Sequence, residues 1–251
     1  FIHSIMVQKR RGMFRMWNIA LINISFALGA FGIFINRGGP VPSVHSFGAS
    51  TLGWVFLLFL AVSTIISFGL FFYRMSLLKG STSLESALSR ETAFLVNNLF
   101  LLAIAFFTLW GVVFPIISEI TTGETITVGE PYYNQVNGPL MLGLICLMGI
   151  GPLLPWRKSN LSQVNRILIV PLVSTTIVVI AISLLFQITK PIVIIGIAVS
   201  TLAAISVFQE WIRGTKARQS STGRNYLLAF CDLILANRPR YGGYIVHIAI
   251  I

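Results

Sequence analysis

The chain has 251 residues, of which 55% are hydrophobic and only 10% charged; a soluble globular domain carries roughly 25% charged residues. That balance excludes a water-coated globule and points to lipid as the solvent for most of the surface. The net charge of +11 would direct a soluble protein to nucleic acid, but here the basic residues lie between apolar blocks, so the charge reads as membrane topology and no nucleic-acid partner is expected.

In chain order, the first element is a partial apolar segment at 1–7, which carries His3. Complete membrane spans are predicted at about 16–35, 52–72, 93–114, 137–154, 164–186 and 191–212, each near the roughly 20 apolar residues needed to cross a bilayer. A second partial span starts near Tyr241 and carries His247. The predicted fold class is therefore all-α: a polytopic transmembrane helix bundle of about six complete and two partial spans, forming one integral-membrane region over 1–251. Phe1 and Ile251 each lie within an apolar run, with no initiator methionine or signal peptide, so the chain is read as an internal piece of a longer protein.

The crossings divide the loops into two sets. One set holds Lys9, Arg10, Arg11 and Arg15, then Arg74, Lys79 and Arg90, then Arg157, Lys158 and Arg166, and finally Arg213, Lys216, Arg218, Arg224, Arg238 and Arg240. Of the 18 Lys and Arg residues, only Arg37 and Lys190 fall in the other set. Positive charge is retained on the cytoplasmic side, so the rich set is assigned inside. Outside lie the 36–51 loop, where Gly38, Gly39, Pro40 and Pro42 bar a regular helix, and an acidic loop at about 115–136 with Glu119, Glu124 and Glu130. Inside, Thr82-x-x-Glu85 has the spacing of a capping box and predicts a short interfacial helix. Cys146 and Cys231 lie far apart and form neither a CxxC pair nor a disulfide framework.

No P-loop, strand-bound GxGxxG, HExxH or nucleophile elbow occurs, and no paired carboxylates lie within a span, so hydrolytic and nucleotide-driven chemistry finds no support. The three histidines remain. His3 precedes Lys9 by six residues and His247 follows Arg240 by seven. At about 1.5 Å per helical residue both sit roughly 9–10 Å from a cytoplasmic basic cluster. Neutral imidazoles from facing helices can hold one heme iron; each histidine alone also suits a polar tie between helices. His45 lies in the outer loop, where a solvated role is common. Arg37, beside it, suits either a heme propionate, through a forked guanidinium–carboxylate pair, or a lipid headgroup. Asn97 and Asn98 are assigned to interhelical hydrogen bonds, and Trp17, Trp54, Trp110, Trp156 and Trp211 to an interfacial belt.

Five short runs, in order along nearly the whole chain, carry a family resemblance. They are Ile2-His3-Ser4 with Gln8-Lys9-Arg10-Arg11-Gly12; Ser43-Val44-His45-Ser46-Phe47; Ser89-Arg90-Glu91-Thr92 leading to Asn97-Asn98; Gly129-Glu130-Pro131-Tyr132-Tyr133-Asn134; and Arg240-Tyr241-Gly242-Gly243 followed by His247. Together they resemble the CcmF family of heme-attachment proteins in cytochrome c maturation. The chain departs from the family pattern at Asn36-Arg37-Gly38-Gly39-Pro40.

The resemblance implies a heme lyase of the bacterial inner membrane, with its active side periplasmic. That enzyme takes heme from a CcmE-type chaperone and attaches it to apocytochrome c, alongside CcmH/CcmI-type apocytochrome-handling subunits. It implies that His3 and His247 are the axial ligands of a heme b, that His45 is catalytic and binds the iron of the incoming heme, and that the segment alone is inactive. The family's tryptophan-rich motif and second outer histidine are expected upstream. Two alternatives are an electron-carrying membrane cytochrome b, with His45 incidental, and a transporter subunit. Against the transporter, no complete span is predicted to break at a mid-membrane Gly/Pro pair.

Overall fold

A computed structural model describes residues 1–41, 51–80, 84–158 and 160–251. The described residues form α-helices joined by turns and contain no strand. In order, the helices are α1 (Ile2–Arg11), α2 (Arg15–Gly38), α3 (Leu52–Tyr73), α4 (Arg90–Thr122), α5 (Glu130–Ile150), α6 (Leu161–Leu185), α7 (Pro191–Thr222), α8 (Tyr226–Ala236) and α9 (Arg238–Ile250). Six of them, α2 to α7, are long and apolar enough to cross a membrane. Each coincides with one predicted span, although α5 ends at Ile150, short of the predicted 154, and α6 at Leu185, one residue short of 186. Large apolar side chains such as Val55, Leu58, Ile65, Ile177 and Leu184 are exposed, which suits a hydrocarbon solvent and not water.

The helices outrun the apolar blocks. α4 continues through Pro115 to Thr122 and α5 starts at Glu130, so the acidic connection is 123–129, shorter than the predicted 115–136. The predicted interfacial helix after Thr82 does not form. Thr82 lies outside the described residues, and 84–89 is non-helical. The helix start belongs to Ser89 instead, whose Oγ accepts the Thr92 N–H at 3.3 Å, the N-cap arrangement. The Gly138-Pro139 pair sits within α5 without ending it. A helix absent from the sequence reading, α8, occupies the basic connection between α7 and α9.

The residues gather into two compact units, Phe1–Ser83 with Leu101–Gly138, and Leu84–Phe100 with Pro139–Ile251. In the first, α1 ends on Gly12 at φ 66°, whose N–H returns to the Gln8 carbonyl at 2.8 Å; glycine adopts this left-handed cap without steric cost. α2 and α3 then form a hairpin. Asn23 Nδ2 donates to the Ser67 carbonyl at 3.5 Å, the Phe26 and Phe59 rings meet edge-to-face, and a Cβ on Gly53 would collide with Gly38 Cα. As the α2 partner number rises the α3 number falls, so the two helices are antiparallel. Their backbones touch where both residues are glycine. Tyr132 at the start of α5 donates its hydroxyl to the Phe107 carbonyl of α4 at 3.0 Å.

In the second unit, the start of α4 is tied to the turn that follows α5. Arg90 Nε donates to the Leu154 carbonyl at 3.0 Å and Arg90 Nη2 to the Pro152 carbonyl, while the Glu91 carboxylate accepts the Arg157 N–H at 3.1 Å from both oxygens. These bonds satisfy carbonyls that a helix end leaves open. Ala93, Leu154 and Val164 pack together there. α5 meets α7 at Gly149, where a Cβ would stand 3.1 Å from the Ala203 backbone. A second cluster joins α7 to α9 through Val207, Tyr241 and Tyr244, with Trp211, Leu233 and Ile234 against it.

Candidate functional site

A buried polar network lies at that α7–α9 contact. Glu210, one turn from the apolar body of α7, is buried with 10% of its side chain exposed. Burying a carboxylate is costly unless it is paired and hydrogen-bonded, and here it is both. Arg240 Nη2 of α9 donates to Glu210 Oε2, and the Tyr244 hydroxyl donates to the same oxygen at 3.5 Å. Arg240 Nε donates to Tyr244 Oη at 3.2 Å. Arg213 on the next turn of α7 stands 3.8 Å from Glu210 Oε1. Burial opposes charge on Arg240, but its bond to Tyr244 and the Glu210 carboxylate outweigh this and raise its pKa above the ordinary arginine range. It is a permanent cation. Tyr241 and Tyr244 lie edge to face at 5.8 Å and complete the packing.

This network fixes the helix that carries His247. His247 is half-buried three residues beyond Tyr244, with the two rings 6.3 Å apart. His3 is half-buried on α1, in the other unit. Each imidazole sits on one continuous helix with a basic cluster, Lys9 to Arg11 for His3 and Arg238 to Arg240 for His247. The six- and seven-residue offsets therefore convert to about 9–10 Å by helical rise. Imidazole nitrogen is a donor that heme iron takes, so these half-buried residues fit that group. Arg37 is exposed in the last turn of α2. His45 lies outside the described residues. Among the described residues no group of three or more His, Cys, Asp or Glu could hold a bare metal ion.

Asn97 and Asn98 are buried on α4, as expected of interhelical polar residues. Trp211 does more than line an interface: it packs edge-on against Phe208 of α7 and Phe230 of α8, at 5.5 and 6.1 Å. The Glu210 network was absent from the sequence reading. Its signal was present, because Glu210 is the one charged residue within the predicted span 191–212, and a carboxylate at such a position needs a named partner.

Six membrane-length helices and a buried ion-pair network define a polytopic α-helical membrane protein. No family model matches the chain. The cytochrome c-type biogenesis protein CycK of Rhizobium meliloti (strain 1021) is 37% identical over 162 residues, covering 64% of this chain and 24% of its own length. The cytochrome c-type biogenesis protein CcmF of Escherichia coli (strain K12) is 29% identical over 229 residues, 88% of this chain and 35% of its own. A solved structure titled cytochrome c heme lyase CcmF superposes on 100% of this chain and 34% of its own, at a TM-score of 0.72 and 28% identity. The chain belongs to the CcmF family of cytochrome c-type biogenesis proteins. It spans about a quarter to a third of the length of these curated relatives.

Proposed function

We propose that this chain is the central membrane segment of a heme lyase that attaches heme to apocytochrome c on the periplasmic side of the bacterial inner membrane. The observation that carries the reading is the end-to-end likeness to the solved heme lyase, at 28% identity over every described helix. In this reading His3 and His247 hold a heme b between membrane helices. When bound, that group supplies an electron for keeping substrate iron ferrous. The Glu210–Arg240–Tyr244 tie holds α9, and with it His247, against α7.

The incoming heme is the substrate. It arrives from a CcmE-type chaperone, and His45 binds its iron in the outer loop while Arg37 pairs with a propionate. His45 is the catalytic residue in the sense that it fixes the substrate beside the two apocytochrome thiols presented by CcmH/CcmI-type subunits. Holding reactants in a productive geometry converts a bimolecular step into an effectively unimolecular one.

The test uses the full-length protein in a bacterium lacking its own lyase. His45→Ala is expected to abolish covalent heme in a co-expressed c-type cytochrome, read on heme-stained gels, while the purified protein keeps its visible spectrum. A cytochrome that stains normally with His45→Ala would remove the residue from the reaction.

A further inference from the structure

The same end of the second unit contains a cleft of about 610 Å³, which the Glu210–Arg240 tie borders and to which the heme-lyase reading gives no ligand. Its walls are α7 and α9, and Leu233 of α8 closes one side. Arg213, Arg218 and Arg240 line it, together with Glu210 and Ser221. Three guanidiniums therefore face one carboxylate. That carboxylate is already committed to Arg240 and, at 3.8 Å, to Arg213. The Arg218 Nε–H is buried with no protein acceptor. A buried donor of this kind costs free energy unless a ligand meets it, and guanidiniums are suited to the oxygens of a phosphate.

α8 says where this cleft lies. It is the eleven-residue helix Tyr226–Ala236, started by Asn225, whose side-chain oxygen accepts the Leu227 N–H at 2.8 Å. At about 1.5 Å per residue it is roughly 16 Å long, half the hydrocarbon thickness. Its inner face packs through Leu233 and Ile234, while Leu227, Leu228 and Leu235 are exposed. An apolar helix too short to span, flanked by Arg224 and Arg238, lies in the interfacial plane. By the charge sorting that plane is the cytoplasmic one. The basic cleft is then at phosphate depth, with apolar surface beside it for acyl chains.

We propose that the α7–α8–α9 cleft binds the phosphate of an anionic phospholipid of the cytoplasmic leaflet. Free inorganic phosphate shares the headgroup chemistry but has no use for the exposed leucines, so the lipid is the better occupant.

The experiment measures lipid retained by the purified, delipidated full-length protein in native mass spectra, with phosphatidylglycerol or phosphatidylcholine added back. Retention of phosphatidylglycerol over phosphatidylcholine is expected. The double variant Arg213→Gln, Arg218→Gln is expected to lose that preference by on the order of tenfold. Ser221→Glu, which leaves every arginine in place, is expected to lose it by charge repulsion. Arg74→Gln with Lys79→Gln, a basic pair remote in sequence, is expected to keep it. Equal retention of the two lipids, or an unchanged preference in the cleft variants, would overturn the site. Inorganic phosphate that displaces the lipid while Leu227→Ser, Leu228→Ser changes nothing would reassign it to a free-phosphate site.

Discussion

Breaking the Glu210–Arg240 pair from its two ends should give unequal costs. Glu210 keeps 10% of its side chain exposed and Arg240 keeps 37%. Arg240→Met strands a buried carboxylate with Arg213 at 3.8 Å as its nearest cation. The cost is expected at about 3 kcal/mol, the low end for splitting a buried pair. Glu210→Leu strands a guanidinium that can turn toward water and still reach Tyr244, so about 1.5 kcal/mol is expected, in the range of one charge-assisted hydrogen bond. In the double variant neither stranded charge remains, and its cost should fall about 2 kcal/mol short of the sum of the single costs. The assay is reversible detergent-induced unfolding of the purified full-length protein in bicelles, followed for the wild type and all three variants. Single costs that simply add, or an Arg240→Met no worse than Glu210→Leu, would refute the view that the pair is a coupled, carboxylate-limited tie.

Three further outcomes are expected. In a Cys146→Ala, Cys231→Ala background, Ser46→Cys and Ser220→Cys should be labelled from opposite faces of sealed vesicles by an impermeant thiol reagent; labelling from one face would overturn the charge-sorted topology. The full-length protein should show a low-spin, bis-histidine b-type spectrum, and His247→Ala should lose heme or turn it high-spin; an unaltered spectrum would exclude His247 as a ligand. Gly149→Val should destabilise by about 1–3 kcal/mol, because its side chain meets Ala203 backbone at 3.1 Å, whereas Gly196→Ala, with no atom nearer than 4.0 Å, should be neutral or stabilising; equal effects in the same unfolding assay would argue against the α5–α7 contact.

The spans were legible because a bilayer imposes a length and an apolar composition that survive in the sequence without any knowledge of packing. What happens beyond the apolar blocks was not. Glu119 to Thr122 and Arg213 to Thr222 continue their helices on backbone hydrogen bonds and propensity, with no hydropathy signal to mark them. The expected helix start at Thr82-x-x-Glu85 is followed by no helix over 84–89. Ser89 took the position, where Arg90 and Glu91 are also anchored across the chain to 152–157. Glu210 was missed for a different reason. Its place inside a predicted span called for a partner, but the partners, Arg240 and Tyr244, lie 30 and 34 residues away in sequence, and only the fold brings them back to it.

The brevity of α8 also bears on how the chain is threaded into its membrane. Inserted helices are counted off in alternation, so one additional crossing between α7 and α9 would reverse the direction in which α9 runs. Tyr226–Ala236 is apolar but short, and it is bracketed by Arg213, Lys216, Arg218 and Arg224 before and Arg238 and Arg240 after, a charge pattern that the positive-inside rule assigns to one face. Its eleven residues are too few to cross. Extending this helix by some eight leucines, to the roughly 20 residues that span, would pit hydropathy against flanking charge, and a crossing there would reverse α9 and put His247 toward the opposite face of the membrane.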